Sequence, residues 1–147
     1  MARVLLVGYG NTLRGDDALG PMAVERLRPQ LPDTDCVTCH QLSPELAQRL
    51  TEYDLAVFVD AAADGEPGSA SVQRLSSETA KRASLTHHVQ PATLMMMART
   101  LYDRSPDAFL VTGAGADFAN REGLSQNGRK AMDEICRLVL RLILERT

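Results

Sequence analysis

The acidic pair Asp16 and Asp17 follows a glycine-rich turn near the start of the chain. The stretch LVGYGNTLRGDDALG, residues 6–20, begins as an apolar strand, turns at two glycines and then carries both acids into a predicted helix. A phosphate-binding turn needs the glycines but not the acids, whereas a metal or proton-transfer site needs carboxylates. A dinucleotide-binding fingerprint is incomplete, because Leu13 stands where its third glycine belongs. Either acid alone also has a structural interpretation, since carboxylates at helix N-termini accept hydrogen bonds from free amides.

Two further candidates for chemistry lie later in the chain. Asp60 follows the apolar run LAVFV, where a carboxylate has no evident structural duty beyond capping a turn. His87 and His88 are adjacent in a predicted loop, where histidines are commonly solvated. Two carboxylates and one imidazole at the same edge of a sheet would form a three-ligand site with open positions for a substrate. Oxygen and nitrogen donors of this kind suit divalent ions such as nickel or zinc.

Common catalytic patterns are absent from the sequence. Neither the nucleophile-elbow pattern G-x-S-x-G nor the zinc-protease pattern H-E-x-x-H occurs. The segment CVTCH, residues 36–40, formally matches a haem-attachment pattern, but no export signal is found and a strand would place Cys36 and Cys39 on opposite faces. For the same reason Cys39 and His40 are poorly placed to act as a dyad. Three cysteines are an odd number, which argues against a disulfide framework.

Composition narrows the class of protein. The 147 residues are enough for one domain with a hydrophobic core, and we treat residues 1–147 as a single domain. The net charge of −3 argues against a nucleic-acid partner, which normally requires a basic face. No apolar run is long enough to span a bilayer and no signal peptide is recognised, so we expect no membrane association and a cytoplasmic location.

Predicted strands and helices alternate along the chain. This alternation predicts a three-layer α/β/α fold with an open, mostly parallel twisted sheet of about five strands. In such sheets ligands bind beyond the carboxyl ends of the strands, where Asp17, Asp60 and the two histidines are expected. The predicted strands cover residues 4–7, 36–39, 55–59, 69–75 and 108–115. The predicted helices cover residues 17–28, 43–50 with Ser43 as the N-cap, about 91–101, and 125–144.

Three motifs give the sequence a resemblance to a known family. GYGNTLRGDDALG, VFVDA and THHVQPATLMMMARTL occur in the order seen in the hydrogenase maturation endopeptidases, and the resemblance covers nearly the whole chain. The stretch HQLSPELAQ further resembles the branch that serves bidirectional, NAD-linked nickel–iron hydrogenases. The resemblance implies a hydrolase that removes a C-terminal extension from the precursor of the hydrogenase large subunit. It also implies that nickel already installed in the precursor is the recognition mark.

The family's metal ligands can be carried over residue by residue. The resemblance assigns the first ligand to Asp17, the second acid of the pair, and the second ligand to Asp60. A histidine is the third, and the offsets to Leu94 and Arg99 favour His87 over His88. These three residues are also the expected catalytic residues. A carboxylate beside a helix N-terminus binds a cation weakly, because the helix dipole opposes it, so we expect nickel to come with the precursor.

The sequence departs from the family pattern in two places. His40, Gln41 and Leu42 stand where many relatives have D-G-G, which bears on which precursor is recognised. Ala18 replaces a glycine after the acid pair, a change that a helix accommodates. Two other functions are compatible with the sequence: a nickel-binding chaperone that docks on the precursor without cutting it, and a hydrolase of the peptidyl-tRNA type, which also opens with G-x-G-N.

Overall fold

A computed structural model describes residues 2–76 and 89–147. Five strands form one sheet in the spatial order β2-β1-β3-β5-β4. The first four strands of that order are parallel, whereas β4 pairs with β5 in antiparallel orientation at one edge. The predicted α/β class with a mostly parallel sheet is therefore confirmed. The strands are β1 Val4–Tyr9, β2 Thr34–Cys39, β3 Leu55–Ala62, β4 Ala70–Arg74 and β5 Asp107–Ala114.

Helices cover both faces of the sheet. In the described part of the chain they are α1 Leu19–Leu27, α2 Leu46–Leu50, α3 Pro91–Tyr102 and α4 Gln126–Arg146. One hydrophobic core joins α1 and α4 to one face, and a second core joins α2 and α3 to the other. The central strands are apolar on both sides because each face is covered, and this confirms the three-layer arrangement. None of the described helices is both long and apolar enough to cross a membrane.

Several predicted element ends differ from the structure. The first helix begins at Leu19 rather than Asp17, because Gly15–Ala18 forms a short 3-10 turn that contains both acids. Asp60 does not end its strand, since β3 continues to Ala62 through parallel pairing with β5. Position 60 is therefore held by the sheet rather than by a loop.

The prediction that Ser43 is a helix N-cap is wrong. Ser43 was predicted to cap α2, but the helix begins at Leu46 and its N-cap makes no side-chain hydrogen bond. The residues between them form a backbone turn instead, closed by the bond from Leu46 N to Ser43 O (3.1 Å). Ser125 does cap α4, since its side chain accepts a hydrogen bond from Gly128 N (2.9 Å).

Cys36 and Cys39 lie on opposite faces of β2, as the strand prediction required. Cys36 packs against the core that contains α1, and Cys39 packs against the core that contains α2. Both are half-buried, and burial raises the pKa of each thiol. The two thiols therefore pack as small apolar groups, and neither geometry nor ionisation makes them nucleophiles.

Candidate functional site

Asp17 and Asp60 line the same cavity at the carboxyl edge of the sheet. The cavity has a volume of about 380 Å³ and is bounded by the segments after β1 and β2, the end of β3 and the two residues before α3. The ends of three parallel strands therefore contribute to one site, which is the place where open α/β sheets bind ligands. Its lining residues are Tyr9, Gly10, Asn11, Arg14, Asp17, His40, Gln41, Leu42, Asp60, Val89 and Gln90.

The turn after β1 presents Asp17 to this cavity. Gly10 has a φ of +149°, and a Cβ there would overlap the carbonyl oxygen of Asp17, so no other residue fits the turn. The backbone N–H of Asn11 donates to Oδ2 of Asp17 at 2.8 Å. The Asn11 side chain in turn accepts from the N–H of Leu13 at 2.9 Å, which closes the turn. Asp17 is thus oriented by its own loop.

Close packing of α1 against the sheet brings the acid to the edge. A Cβ on Gly20 would lie 2.6 Å from the carbonyl oxygen and 2.8 Å from the nitrogen of Tyr9, and it would overlap the carbonyl of Val59. Gly8 faces the helix in the same way, since a Cβ there would overlap the carbonyl of Gly20. These glycines therefore serve helix–strand contact rather than a phosphate group.

Asp60 lies partly buried at the floor of the cavity. Its Oδ1 accepts a hydrogen bond from the N–H of Ala61 at 2.7 Å, and the hydroxyl of Tyr9 also donates to the carboxylate. Burial raises the pKa of Asp60 to about 6, and the nearby charge of Asp17 adds to the rise although the two hydrogen bonds oppose it. Burial and the Asp60 charge likewise raise the pKa of Tyr9, which stays a hydrogen-bond donor.

The two carboxylates fit a divalent cation electrostatically. They bring like charges into one cavity, and a cation bound between them would remove the repulsion that raises the Asp60 pKa. His40 lines the same cavity, yet no group of three or more His, Cys, Asp or Glu residues is arranged to hold a metal within residues 2–76 and 89–147. His87 and His88, predicted as competing third ligands, lie outside the described residues.

Asp16 has a separate, structural role. Its side chain is fully buried, at 0% exposure, and is the one buried charged residue in the described part of the chain. It accepts hydrogen bonds from the N–H groups of Ala116 (2.7 Å), Asp117 (3.0 Å) and Ser125 (2.8 Å), and from the Ser125 hydroxyl (2.6 Å). The two adjacent acids therefore have different roles: Asp16 binds the loop that precedes α4, and Asp17 lines the cavity.

Sequence reasoning missed two cavity residues, Tyr9 and Arg14. Tyr9 is the variable position within GYGN, and no local pattern indicates that its hydroxyl reaches the carboxylate of Asp60. Arg14 is a charged residue in a turn, which the sequence alone does not distinguish from a solvated surface side chain. The one sequence signal that could have identified both as cavity residues is their position in the same stretch as Asp17.

Comparisons with known proteins identify related structures. No family model and no curated protein sequence matches the chain. Among solved structures, the hydrogenase 2 maturation peptidase of a Thaumarchaeota archaeon is 26% identical, with a TM-score of 0.72 and coverage of 96% of this chain and 97% of that one. HybD, a hydrogenase maturating endopeptidase from E. coli, is 22% identical, with a TM-score of 0.80 and coverage of 98% and 93%. The [NiFe] hydrogenase maturation protease HycI from Thermococcus kodakarensis is 24% identical, with a TM-score of 0.77 and coverage of 95% and 91%.

These similarities define the class of fold. The five-stranded, mostly parallel sheet with helices on both faces is the fold of the hydrogenase maturation endopeptidases. The similarity extends over nearly the full length of each chain.

Proposed function

We propose that the protein is an endopeptidase that removes the C-terminal extension of a nickel–iron hydrogenase large-subunit precursor after nickel insertion. The observation that carries this proposal is the placement of Asp17 and Asp60 in one cavity at the carboxyl edge of a hydrogenase-protease fold. The likeness of HQLSPELAQ to the NAD-linked branch makes a bidirectional hydrogenase the proposed source of the precursor. The proposed location is the cytoplasm.

Asp17, Asp60 and His87 are the proposed ligands of the precursor's nickel. His87 stands two positions before Val89 in sequence, and Val89 lines the cavity. Nickel brought by the precursor would act as a Lewis acid on a peptide carbonyl and would hold the precursor in register. The proposed site has carboxylate and imidazole donors and no thiolate, and the helix dipole of α1 opposes a cation beside Asp17. Both features favour a metal that is shared with the substrate rather than owned by the enzyme.

The neighbouring side chains keep the two carboxylates in position before the precursor arrives. The N–H groups of Asn11 and Ala61 each engage one carboxylate oxygen, at 2.8 Å on Asp17 and 2.7 Å on Asp60. The Tyr9 hydroxyl stabilises the ionised form of Asp60, which is the form that ligates a metal. Asp17 and Asp60, two of the three proposed protein ligands, are thus oriented before the metal binds.

Mass measurement of a purified precursor separates this function from its alternatives. Nickel-loaded and nickel-free precursor are incubated with wild-type protein and with Asp17→Asn and Asp60→Asn variants. We expect wild-type protein to shorten only the nickel-loaded precursor, and both variants to lose that activity by a factor of a hundred or more while remaining folded. Asp64→Asn is the matched control, because Asp64 is exposed and lines a different cavity.

Each other outcome contradicts a stated part of the proposal. Stable binding of the precursor without a mass change would indicate a docking chaperone. Cleavage of nickel-free precursor, together with one tightly held zinc per chain by elemental analysis, would indicate a metallohydrolase that owns its ion. Processing at the wild-type rate by a folded Asp60→Asn variant would show that the ligand assignment is wrong.

A further inference from the structure

Arg14 is a charged residue of the cavity that has no part in the proposed metal site. It lines the cavity beside Asp17 and Asp60. Across residues 2–76 and 89–147, no hydrogen bond or ion pair to its guanidinium is found. Arg14 is exposed, so its guanidinium is solvated and remains available to a ligand that enters the cavity.

The backbone around Arg14 is held in place on both sides. Its N–H donates to the carbonyl of Asn11 (3.1 Å), and its own carbonyl accepts from the N–H of Asp17 (3.1 Å). The next N–H, that of Gly15, donates to the carbonyl of Arg121 at 2.9 Å, and positions 14 and 121 form an isolated bridge. The backbone of Arg14 is therefore fixed, so binding a ligand has to order the side chain but not the loop.

The acids near Arg14 are engaged by other donors. Asp17 accepts from the N–H of Asn11, and Asp60 accepts from Ala61 and from Tyr9. The contrast with the neighbouring Arg121 is informative, because that guanidinium pairs with Asp117 at 2.7 Å. Arg14 and Arg121 thus differ although their backbones are bridged, and the one that lines the cavity with Asp17 and Asp60 is the one without a partner in the described part of the chain.

We infer that Arg14 binds a carboxylate of the peptide substrate in this cavity, an inference that rests on the proposed endopeptidase function. The planar guanidinium presents paired N–H donors that match the two oxygens of a carboxylate. An incoming carboxylate is attracted to Arg14 and repelled by Asp17 and Asp60, so it can enter in one orientation only. Arg14 is therefore a specificity residue that sets the direction of the peptide.

Steady-state kinetics on a purified, nickel-loaded precursor test this role. For Arg14→Gln we expect KM to rise about tenfold or more, as for loss of a charged hydrogen bond, with kcat within about threefold of wild type. Arg14→Lys keeps the charge without the paired donors and recovers part of the loss. Arg141→Gln is the control, since Arg141 is exposed on α4 and lies outside the cavity. The wild-type KM rises with ionic strength because salt screens the attraction to Arg14, whereas the KM of Arg14→Gln does not rise, since only the repulsion by Asp17 and Asp60 is left to be screened.

Changes in the precursor distinguish the two sources of a carboxylate. If an acidic side chain is bound, replacing the acidic residues around the scissile bond by amides raises the wild-type KM and leaves that of Arg14→Gln unchanged. If the free C-terminus is bound, a short Gly-Ser tail added after the last residue has this effect instead. A wild-type KM for Arg14→Gln, or a fall in kcat alone, would overturn the inference. Failure of wild-type protein to cut any precursor would contradict the proposed function itself.

Discussion

Ser125 donates two hydrogen bonds to Asp16 although the residues are 109 positions apart, with its N–H 2.8 Å from Oδ1 and its hydroxyl 2.6 Å from Oδ2. The same hydroxyl accepts from the N–H of Gly128 and caps α4. The turn that carries Asp17 is therefore tied to the loop between β5 and α4 through the acid next to it. A substitution at Asp16 should therefore lower the stability of the fold and also disturb the position of Asp17 in the cavity.

Replacing Asp16 with Asn should destabilise the protein by about 2–4 kcal/mol. The amide keeps one acceptor oxygen but puts an NH2 group where the other oxygen was, so buried N–H and O–H donors lose their charged acceptor. The free energy of unfolding in urea at pH 7 measures the loss. Asp133→Asn is the matched control, since the Asp133 side chain is 71% exposed and forms a surface ion pair with Arg26. A loss for Asp16→Asn no larger than for this control would show that the network is dispensable.

The stability of the wild-type protein should also fall in acid because of Asp16. Burial raises the pKa of this carboxyl, but hydrogen bonds from Ser125, Ala116 and Asp117 outweigh it and bring the pKa below 3.8. A lowered native pKa contributes stability that is present above the unfolded pKa and is lost as pH falls through the native value. Between pH 5 and pH 2 we expect Asp16→Asn to lose less stability than wild-type protein.

The carboxyl of Asp60 contributes a pH dependence of stability opposite in sign to that of Asp16. Its pKa of about 6 lies above the ordinary 3.8, so the folded state binds the proton more tightly and stability declines as pH rises through about 6. At pH 7.5 Asp60→Asn should be more stable than wild-type protein by on the order of 1–3 kcal/mol, while at pH 3.5 the two should be alike. Asp64→Asn, four residues away and exposed, should show no gain. A destabilised Asp60→Asn at pH 7.5 would contradict this electrostatic account.

Gly20→Ala tests whether α1 needs its close contact with the sheet. The added methyl would meet the backbone of Tyr9 and Val59, which cannot move without separating β1 from β3. We expect a loss of about 3 kcal/mol or more, measured by thermal unfolding. Met22→Ala, at a partly exposed site on the same helix, should cost less than about 1 kcal/mol. Equal melting temperatures for the two variants would show that the helix can shift.

The adjacent histidines make a prediction that rests on the sequence. The family resemblance, through the offsets to Leu94 and Arg99, makes His87 the proposed metal ligand, so His87→Ala should lose nickel-dependent cleavage and His88→Ala should keep most of it. Below about pH 6 cleavage by wild-type protein should weaken, because Asp60, with its pKa of about 6, and an ordinary imidazole both take up protons in this range and stop ligating. The reverse pattern in a precursor-processing assay would place the register one residue away.

The apolar runs, together with the residues that begin and end helices and strands, determined the architecture. Residues 4–7 and 55–59 are apolar throughout because their strands are covered on both faces, and Pro91 begins α3 where the sequence indicated. Such signals are local, since a strand's burial and a helix's first turn are set by neighbouring residues. The rule that ligands bind at the carboxyl edge of an open α/β sheet then predicted, from sequence alone, that Asp17 and Asp60 lie in one region.

Tertiary structure decided what each acid does. Asp16 and Asp17 are chemically identical neighbours, and only the loop at residues 115–125, brought close by folding, buries one and leaves the other in the cavity. The raised pKa of Asp60 likewise depends on burial and on Asp17 across the sheet edge. Hydrogen bonds and charges act through space over a few ångströms, whereas sequence patterns report neighbours along the chain, so roles of this kind require the fold.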